Sequence, residues 1–251
     1  MSSNSKTSLG GHAQAKAIYR FIPPRFYVPF RAYRTRAKSH RRGERELHIL
    51  RHLVPRDRVA VDVGANRGVY SYFFSKLAKR VIAYEAIPAM ADFLECAGLP
   101  NVEVRRLAVC DRNETLKFSV PIDPRGAMQF NGGQLGDDIG CDAEIFEVQG
   151  VRLDDEELGD VGFLKVDVEG HEEAVLRGAR EMLERCSPVV MLEILGLSEG
   201  DGHSPIFDLM EEMGYCACFY DGASIVPLCR AKLDLMGRNF IFFPTKRRAR
   251  A

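Results

Sequence analysis

The sequence predicts an α/β fold in which a Rossmann-like, doubly wound sheet follows a basic N-terminal arm. Three observations predict it. Apolar segments of strand length alternate with amphipathic helical segments along most of the chain. A glycine-bearing turn follows the first of these strands, and an acid ends the second. The first 52 residues contain 12 Lys and Arg but only 2 acids, although the net charge of all 251 residues is zero.

The first strand, turn and helix carry the most specific pattern. Apolar residues 58–63 lead into the turn 64–68, and residues 69–77 form an amphipathic helix. The pattern at the turn is Asp62-Val-Gly64-Ala65-Asn66-Arg-Gly68. Glycines in such a turn let the backbone approach a ligand, so a nucleoside cofactor is predicted here. In the alternative interpretation, Asn66 only caps the helix and the glycines only shape the turn.

The second strand favours the cofactor interpretation. Residues 81–84 form a strand that ends at Glu85, which follows Gly64 by 21 positions. An acid about 20 residues after the glycine turn commonly accepts hydrogen bonds from the ribose hydroxyls of a bound nucleotide. The turn is not the G-x-G-x-x-G pattern of dinucleotide-binding proteins, because Asn66 and Val69 occupy two of its glycine positions.

The remaining elements follow in order along the chain. Helices are predicted over residues 44–54, 88–97, 172–183 and 204–213, and strands over 102–109, 162–168, 188–194, 215–220 and 239–243. Where another helix is expected, two strand-like segments (115–120 and 145–151) flank a long Gly- and Asp-rich loop (121–142), which predicts a hairpin. Residues 153–158 predict a short acidic turn of helix. The count is seven core strands.

The chain is predicted to divide into a basic, partly disordered arm (residues 1–43), one α/β domain (44–245) and a basic tail (246–251). The arm mixes aromatic residues and prolines over residues 21–30, and residues 31–42 hold six basic residues and no acid. In one interpretation the arm folds against the body or over the site. In the other it binds an anionic membrane surface or nucleic acid.

Hydropathy and cysteine content restrict the predicted location of the protein and its capacity to bind metal. No apolar run approaches the roughly 20 residues of a membrane-spanning helix, and the first residues lack the apolar core of a signal peptide. Seven cysteines, an odd number, occur without C-x-x-C spacing. That usage is typical of reduced thiols and gives no zinc pattern. The sequence therefore predicts a cytoplasmic protein, peripheral at the inner face of the membrane if the arm binds lipid.

The candidate ligand-binding residues lie where the strands of the predicted sheet end, which is where ligands of open α/β sheets bind. They are Asp62, Gly64, Glu85, Ala108, Asp111, Asp167, Glu169 and Glu193. Along the fourth core strand, Lys165, Asp167 and Glu169 alternate with apolar residues and therefore share one face. Charged residues on a strand covered on both faces indicate a functional role more than a packing role.

Seven motifs over about residues 58–195 resemble, in order and spacing, the FkbM family of methyltransferases. They are Asp62-Val-Gly-Ala-Asn-Arg-Gly, Ala-Tyr-Glu85-Ala, Leu-Ala108-Val-Cys-Asp111, Val-Arg-Leu153-Asp-Asp, Lys165-Val-Asp-Val-Glu-Gly-His-Glu172, Leu-Arg-Gly178-Ala and Leu192-Glu193-Ile. Each motif alone is moderately specific, and the ordered set is much more so. One departure is Glu85-Ala86, where the family often has Glu-Pro; it changes the stiffness of the turn more than its chemistry.

The resemblance implies an S-adenosylmethionine-dependent methyltransferase that O-methylates a hydroxyl on a small molecule or glycan, such as a sugar or a polyketide. It also implies the methyltransferase form of the Rossmann sheet, in which the last of seven strands is antiparallel. Backbone N–H groups at the start of the helix suit the methionyl carboxylate, and Asp62 suits the ammonium group. The expected cofactor-binding residues are Asp62, Gly64, Ala65, Asn66, Gly68, Glu85, Ala108 and Asp111.

Three residues after the fourth strand are the catalytic candidates. Asp167 is the first choice for the group nearest the reacting methyl, with Glu169 and His171 as alternative proton acceptors. Asp167 could instead be a buried partner of Lys165. The three candidates could also ligate Mg²⁺. Their i, i+2, i+4 spacing over a strand end disfavours this, and no metal site is predicted.

Three other functions compete with this prediction. A nicotinamide-dependent dehydrogenase is disfavoured by the missing third glycine. A nucleic-acid methyltransferase that uses the basic arm is disfavoured because the sequence lacks the Asn-Pro-Pro-Tyr and Pro-Cys motifs of base chemistry. A non-catalytic cofactor-binding module is disfavoured by the acids of the fourth strand. The identity of the acceptor and the oligomeric state have no recognisable motif.

Overall fold

The computed structural model of the protein describes residues 22–39, 44–123, 134–136, 142–194, 205–228 and 239–245. The first half of the predicted arm, most of the loop 121–142 and the basic tail 246–251 lie outside these residues. No helix in the described part of the chain is long and apolar enough to cross a membrane.

The strands and helices of the described residues follow the predicted alternation. The strands are β1 (Val59–Val63), β2 (Arg80–Tyr84), β3 (Val102–Arg105), β4 (Ala108–Val109), β5 (Thr115–Pro121), β6 (Gln134–Leu135), β7 (Ala143–Val151), β8 (Val161–Val166), β9 (Val189–Glu193), β10 (Tyr215–Tyr220), β11 (Ile225–Pro227) and β12 (Asn239–Pro244). The α-helices are α1 (Pro24–Ser39), α2 (Leu50–Leu53), α3 (Val69–Leu77), α4 (Pro88–Cys96), α5 (Glu172–Arg177), α6 (Arg180–Cys186) and α7 (Pro205–Glu212). Two 3₁₀ turns, Arg45–His48 and Leu153–Asp155, complete the set.

The central sheet has the order β11-β10-β12-β9-β8-β1-β2-β3. Strands β3, β2, β1, β8 and β9 are parallel, and β12 pairs antiparallel with β9. The predicted seven-stranded, doubly wound sheet with an antiparallel last strand is therefore confirmed. An eighth short strand, β11, pairs with β10 at the edge and was not predicted.

The strand order reverses between β1 and β8. From β1 the chain continues outwards to β2 and β3, whereas from β8 it continues in the other direction to β9. The crossover connections therefore leave on opposite sides, and a crevice opens at the carboxyl ends of β1 and β8. The turn after β1 and the acids after β8 meet at this crevice.

Both faces of the sheet are covered, as the apolar strands require. One face packs against α5, α6 and α7, with Leu176, Met182 and Phe207 among the buried residues. The other face packs against α1, α2 and α3, and includes Val28 and Phe74. Helix α1 therefore belongs to the core of the domain.

A helix in the second half of the arm is a difference from the sequence prediction. No helix was predicted for this segment, and a proline inside a helix, such as Pro29 in α1, disfavours one. Packing decides the outcome, because Val28 and Ala32 are fully buried and α1 contacts α3 and α4.

Three other predicted elements are divided in the structure. The predicted helix 44–54 is a 3₁₀ turn followed by the single turn of α2. The predicted strand 102–109 breaks after Arg105, and β4 pairs with β7 in a second sheet of order β4-β7-β5-β6. The predicted helix 172–183 is divided at Gly178 and Ala179, and a Cβ at Gly178 would lie 2.0 Å from the Cys110 carbonyl oxygen, so this position requires glycine. Asp154 accepts a hydrogen bond of 2.8 Å from the Met182 backbone N–H in the first turn of α6.

Strand β8 also ends two residues earlier than predicted. The Asp167 backbone N–H still donates to the Val63 carbonyl at 3.1 Å, but Glu169 and Gly170 both have positive φ and turn the chain away. Val168 and Glu169 are therefore part of a turn and not of the strand. The predicted hairpin is confirmed, because β5 and β7 pair antiparallel along seven residue pairs.

Candidate functional site

A cavity of about 320 Å³ lies at the carboxyl ends of β1 and β8. Most of the residues predicted for the site line it. They are Asp62, Gly64, Ala65, Asn66, Glu85, Ala108, Asp167, Glu169 and His171. The crevice expected from the topology is thus present, and one space contains the cofactor candidates and the catalytic candidates.

The backbone of the turn after β1 packs directly against the backbone that follows β8. Gly64 has a φ of +76°, and a Cβ at this position would lie 1.9 Å from the Asp167 carbonyl oxygen. Only glycine fits such an approach. The N–H groups of Gly64 and Ala65 both donate to the Tyr84 carbonyl at 3.0 Å, which ties the turn to the end of β2.

Glu85 closes the same turn from the neighbouring strand. Its Oε2 accepts the Asn66 backbone N–H at 2.6 Å, and its Oε1 accepts the Ile87 backbone N–H at 2.8 Å. Burial raises the pKa of the Glu85 carboxyl to about 7, although these two hydrogen bonds favour the ionised form. Each oxygen keeps a second lone pair with which it can accept a hydroxyl donor.

Asp62 is fully buried beneath the turn. Its Oδ2 accepts the Ser71 hydroxyl at 2.6 Å, whereas its Oδ1 has no hydrogen-bond partner. Burial raises the pKa of Asp62, and the nearby Lys165 ammonium opposes that rise. A buried carboxylate with one unpaired oxygen is suited to a cationic donor group.

Two predicted cofactor residues lie elsewhere. Gly68 is the N-cap of α3 with a φ of +74°, and a Cβ there would lie 2.4 Å from Leu94 Cδ1, so this glycine permits α4 to pack closely. Asp111 is exposed and pairs with Arg112 at 3.2 Å. The break after Arg105 explains its position, because the chain beyond it joins the second sheet.

Lys165 and Asp167 form an ion pair in the cavity wall. The Lys165 Nζ donates to Asp167 Oδ2 at 2.8 Å and lies 4.5 Å from the centre of the Tyr70 ring. Burial would raise the pKa of Asp167, but the Lys165 ammonium outweighs it, and the pKa lies below its ordinary value. The pairing interpretation of Asp167 and its catalytic interpretation are therefore compatible, since the paired Asp167 still lines the cavity.

Glu193, at the end of β9, lies beside Asp167. Burial, and then the negative charge of Asp167, raise the pKa of Glu193 to about 7. Two adjacent carboxyls that differ in this way hold one proton between them near neutral pH. Sequence analysis placed Glu193 on the rim but gave it no role.

The two alternative proton acceptors lie at the mouth of the cavity. Glu169 is exposed in the turn after β8, and His171 is half-buried at the N-cap of α5. Within the described ranges, no three His, Cys, Asp or Glu side chains are placed to hold a metal ion.

Unpaired polar atoms mark the cavity as a ligand site. Five buried side-chain atoms in the described residues have no hydrogen-bond partner, and all five belong to residues that line this cavity. They are Arg31 Nε, Glu44 Oε2, Asp62 Oδ1, Asn66 Oδ1 and the Tyr70 hydroxyl. Each such group costs about 1–3 kcal/mol when left unpaired. Their concentration in one space indicates a polar ligand.

Three of these residues were missed by sequence reasoning. Arg31 comes from α1, Glu44 from the segment before the first 3₁₀ turn, and Tyr70 from the first turn of α3. Tyr70 was read as part of an apolar helix face, and Arg31 as one of many arm cations. The docking of α1 on the body brings Arg31 to the cavity, and no local pattern distinguishes Glu44 or Tyr70 from their neighbours.

Comparison with protein families identifies the family of this chain. The model described as "Methyltransferase FkbM domain" matches residues 62–216, which is more than half of the chain. The chain belongs to the FkbM methyltransferase family. Its cofactor is S-adenosylmethionine, and the unpaired Asp62 and Asn66 oxygens and the close turn at Gly64 fit such a ligand. Among curated proteins, no significant match is found.

Solved structures similar to this FkbM protein are all distant in sequence. The methyltransferase FkbM of Methylobacillus flagellatus has 12% identity and a TM-score of 0.45, over 91% of this chain. This chain spans only 57% of the length of that protein. A TehB-like SAM-dependent methyltransferase of Corynebacterium glutamicum has 11% identity and a TM-score of 0.44, over 85% of this chain and 94% of its own. DhpI in complex with SAH has 16% identity and a TM-score of 0.41, over 96% and 100%.

Proposed function

We propose that this protein transfers the methyl group of S-adenosylmethionine to a hydroxyl of a saccharide or natural-product acceptor. The position of the Asp167 and Glu193 carboxyls carries the proposal, because they line the same cavity as the glycine turn and Glu85. A hydroxyl loses its proton as it is methylated, and a carboxyl beside the donor site can accept that proton. Cofactor storage alone needs no such group.

The donor half of the site is formed by the turn and Glu85. Bound S-adenosylmethionine supplies an electrophilic methyl group on a cationic sulfur. Glu85 is placed to accept the ribose hydroxyls, and the unpaired Oδ1 of Asp62 to accept the ammonium group. The backbone N–H groups of residues 64–66 and of Gly68 already donate within the protein, so we assign the methionyl carboxylate to the N–H groups of Arg67 and Val69.

The acid half of the site handles the acceptor proton. Lys165 keeps Asp167 ionised, so Asp167 orients the acceptor hydroxyl by accepting a hydrogen bond from it. Glu193, with a pKa raised to about 7 by burial and by Asp167, receives the proton. Glu169 and His171, the alternatives from sequence, lie nearer to solvent and suit later release of that proton.

Two measurements test this function. Calorimetry on ligand-free protein should show binding of S-adenosylmethionine and of SAH; no affinity for either would refute the proposal. Labelled cofactor should then methylate a hydroxyl compound in extracts of the native host. Asp167→Ala should lose transfer yet bind SAH as wild type does, and full turnover by this variant would remove Asp167 from the reaction.

The exposed face of α1 supports a further proposal on location. Phe26, Phe30 and Tyr33 are 58%, 49% and 57% exposed and share one side of the helix, with Arg25 and Lys38 beside them. We propose that this face binds an anionic membrane surface from the cytoplasmic side. Sedimentation with phosphatidylglycerol vesicles, but not phosphatidylcholine vesicles, should carry the protein down. Phe26→Ser should weaken it, and binding to nucleic acid instead of vesicles would contradict the proposal.

A further inference from the structure

The N-terminal segment adds two polar groups to the cavity from outside the conserved family region. The family match begins at residue 62, whereas Arg31 lies in α1 and Glu44 lies just before the first 3₁₀ turn. Both residues line the cavity together with Tyr70, which is 7% exposed. Two of the three residues in this part of the wall therefore precede the region that matches the family, and Tyr70 lies within it.

All three residues present an unpaired polar atom. Arg31 Nη1 donates to the Tyr27 hydroxyl at 3.4 Å, which anchors the guanidinium, while its Nε is buried without a partner. Glu44 Oε2 and the Tyr70 hydroxyl are also buried without a hydrogen bond of ordinary length, although Tyr70 lies close enough to Glu44 to act on its pKa. The wall therefore offers one N–H donor, one carboxylate acceptor and one hydroxyl that can do either.

The charges around these atoms select the ligand class. A phosphate or carboxylate would pair with Arg31 but would be repelled by Glu44, Asp167 and Glu193. An ammonium group would pair with Glu44 but would be repelled by Arg31 and Lys165. A zwitterion could pair with both Arg31 and Glu44, but the one that this cavity must hold, the methionyl end of the cofactor, is already assigned to Asp62 and the start of α3. Neighbouring hydroxyls can accept from the guanidinium and donate to the carboxylate at once, and they carry no charge that either side repels.

We infer that Arg31, Glu44 and Tyr70 form the subsite that recognises a neutral, polyhydroxylated acceptor through neighbouring hydroxyls. The inference rests on the proposed function and names the acceptor class for the same cavity. Arg31 and Glu44 orient the acceptor, and Asp167 and Glu193 act on the hydroxyl that is methylated. Because Arg31 lies on α1, recognition of the acceptor depends on the packing of this helix against the domain.

Binding of simple polyols to the SAH-loaded full chain tests the inference. Saturation-transfer NMR would be run with a panel of methyl glycosides and myo-inositol, together with a glycoside phosphate and a uronic acid as anionic probes. At least one neutral polyol should bind, and the anionic probes should bind more weakly than it. Glu44→Gln and Arg31→Met should each raise its dissociation constant by about tenfold or more, as expected for the loss of a charge-assisted hydrogen bond.

Matched variants separate this result from general effects. Lys79→Met removes an exposed cation that does not line the cavity, and Glu157→Gln removes an exposed acid; both should bind the polyol as wild type does. Tyr70→Phe deletes one oxygen and serves if a charge variant does not fold. Calorimetry with SAH on each variant should give an unchanged affinity.

Each outcome supports or overturns the inference. Tightest binding by an anionic probe, no polyol binding, or equal binding by wild type and variants would overturn the assignment. If SAH itself does not bind wild type, the proposed function fails and the inference falls with it. If SAH binds and polyols do not, only the inference fails.

Discussion

The donor half and the acid half of the cavity are built in different ways. The donor half comes from a short contiguous stretch, the turn 64–68, plus Glu85, and backbone hydrogen bonds hold it. The acid half combines side chains from β8, β9, α1 and the segment before α2, held by charge and burial. The donor half is therefore a backbone structure that suits one fixed cofactor. The acid half consists of side chains that can be substituted one at a time.

The largest predicted effect separates the two halves by function. Glu193→Gln should lower kcat by a factor on the order of 10²–10⁴, because the acceptor hydroxyl loses its base. At saturating S-adenosylmethionine, which removes the contribution of Glu85, the kcat/KM of wild type for the acceptor should rise with pH through about 7 and then level, since Glu193 must be ionised. The variant should lose this dependence. Calorimetry should show SAH binding unchanged. A variant with wild-type turnover would show that the acid half does not need this carboxyl.

A substitution at Gly64 should disrupt both the donor half and the acid half of the cavity. In Gly64→Ala the new Cβ meets the Asp167 carbonyl at a position that cannot give way. We expect a loss of more than about 3 kcal/mol in the free energy of unfolding and no measurable SAH binding. Gly98→Ala is the control, because its φ is also positive but nothing lies within 4 Å, and it should cost only about 1–2 kcal/mol. Equal losses in the two variants would contradict the interlocked turn.

The donor half should respond to pH through Glu85. Ribose hydroxyls donate to the ionised carboxylate, whose pKa in the free protein is about 7. Ligand binding therefore favours loss of the proton, and SAH affinity should weaken by up to about tenfold per pH unit as pH falls below 7. Glu85→Gln should bind SAH more weakly at pH 8 and should lose most of this slope. Titration calorimetry at several pH values measures both, and a flat wild-type profile would exclude Glu85 from ribose binding.

The smallest effect concerns a buried carboxyl that lies outside the cavity. Burial raises the pKa of Glu46 to about 7, and its Oε2 accepts a 3.4 Å hydrogen bond from Asn239. Because this folded pKa exceeds the unfolded value, the group's contribution to stability is full below about pH 4.5 and is lost as pH rises through about 7. Glu46→Gln should therefore gain about 1–3 kcal/mol relative to wild type between pH 5 and pH 8. Denaturant unfolding of both proteins at pH 5 and pH 8 measures this difference in the free energy of unfolding. An equal difference at the two pH values would contradict the prediction.

The same contrast explains what the sequence could predict. The glycine turn, its helix and Glu85 are contiguous or separated by a fixed spacing, so residues 62–85 predicted the donor half directly. Asp167 was also predicted to face the cavity, because alternation along β8 is a local property. The family motifs then supplied the identity of the cofactor.

The rest depends on contacts between distant parts of the chain. Pro29 disfavours a helix that the burial of Val28 and Ala32 nevertheless stabilises, and this helix brings Arg31 to the site. Likewise the requirement for glycine at position 178, where the predicted helix is divided, depends on the approach of the distant Cys110 carbonyl. Asp111 was misplaced because the break after Arg105 depends on pairing between β4 and β7.

The aromatic rings of the cavity wall have a practical consequence. The chain has eight tyrosines and no tryptophan, so tyrosine accounts for its intrinsic fluorescence. Tyr70 and Tyr84 both line the cavity, and Tyr70 lies against the Lys165 ammonium. We expect an arriving ligand to alter the emission of these two fluorophores, which gives an unlabelled optical signal for occupancy.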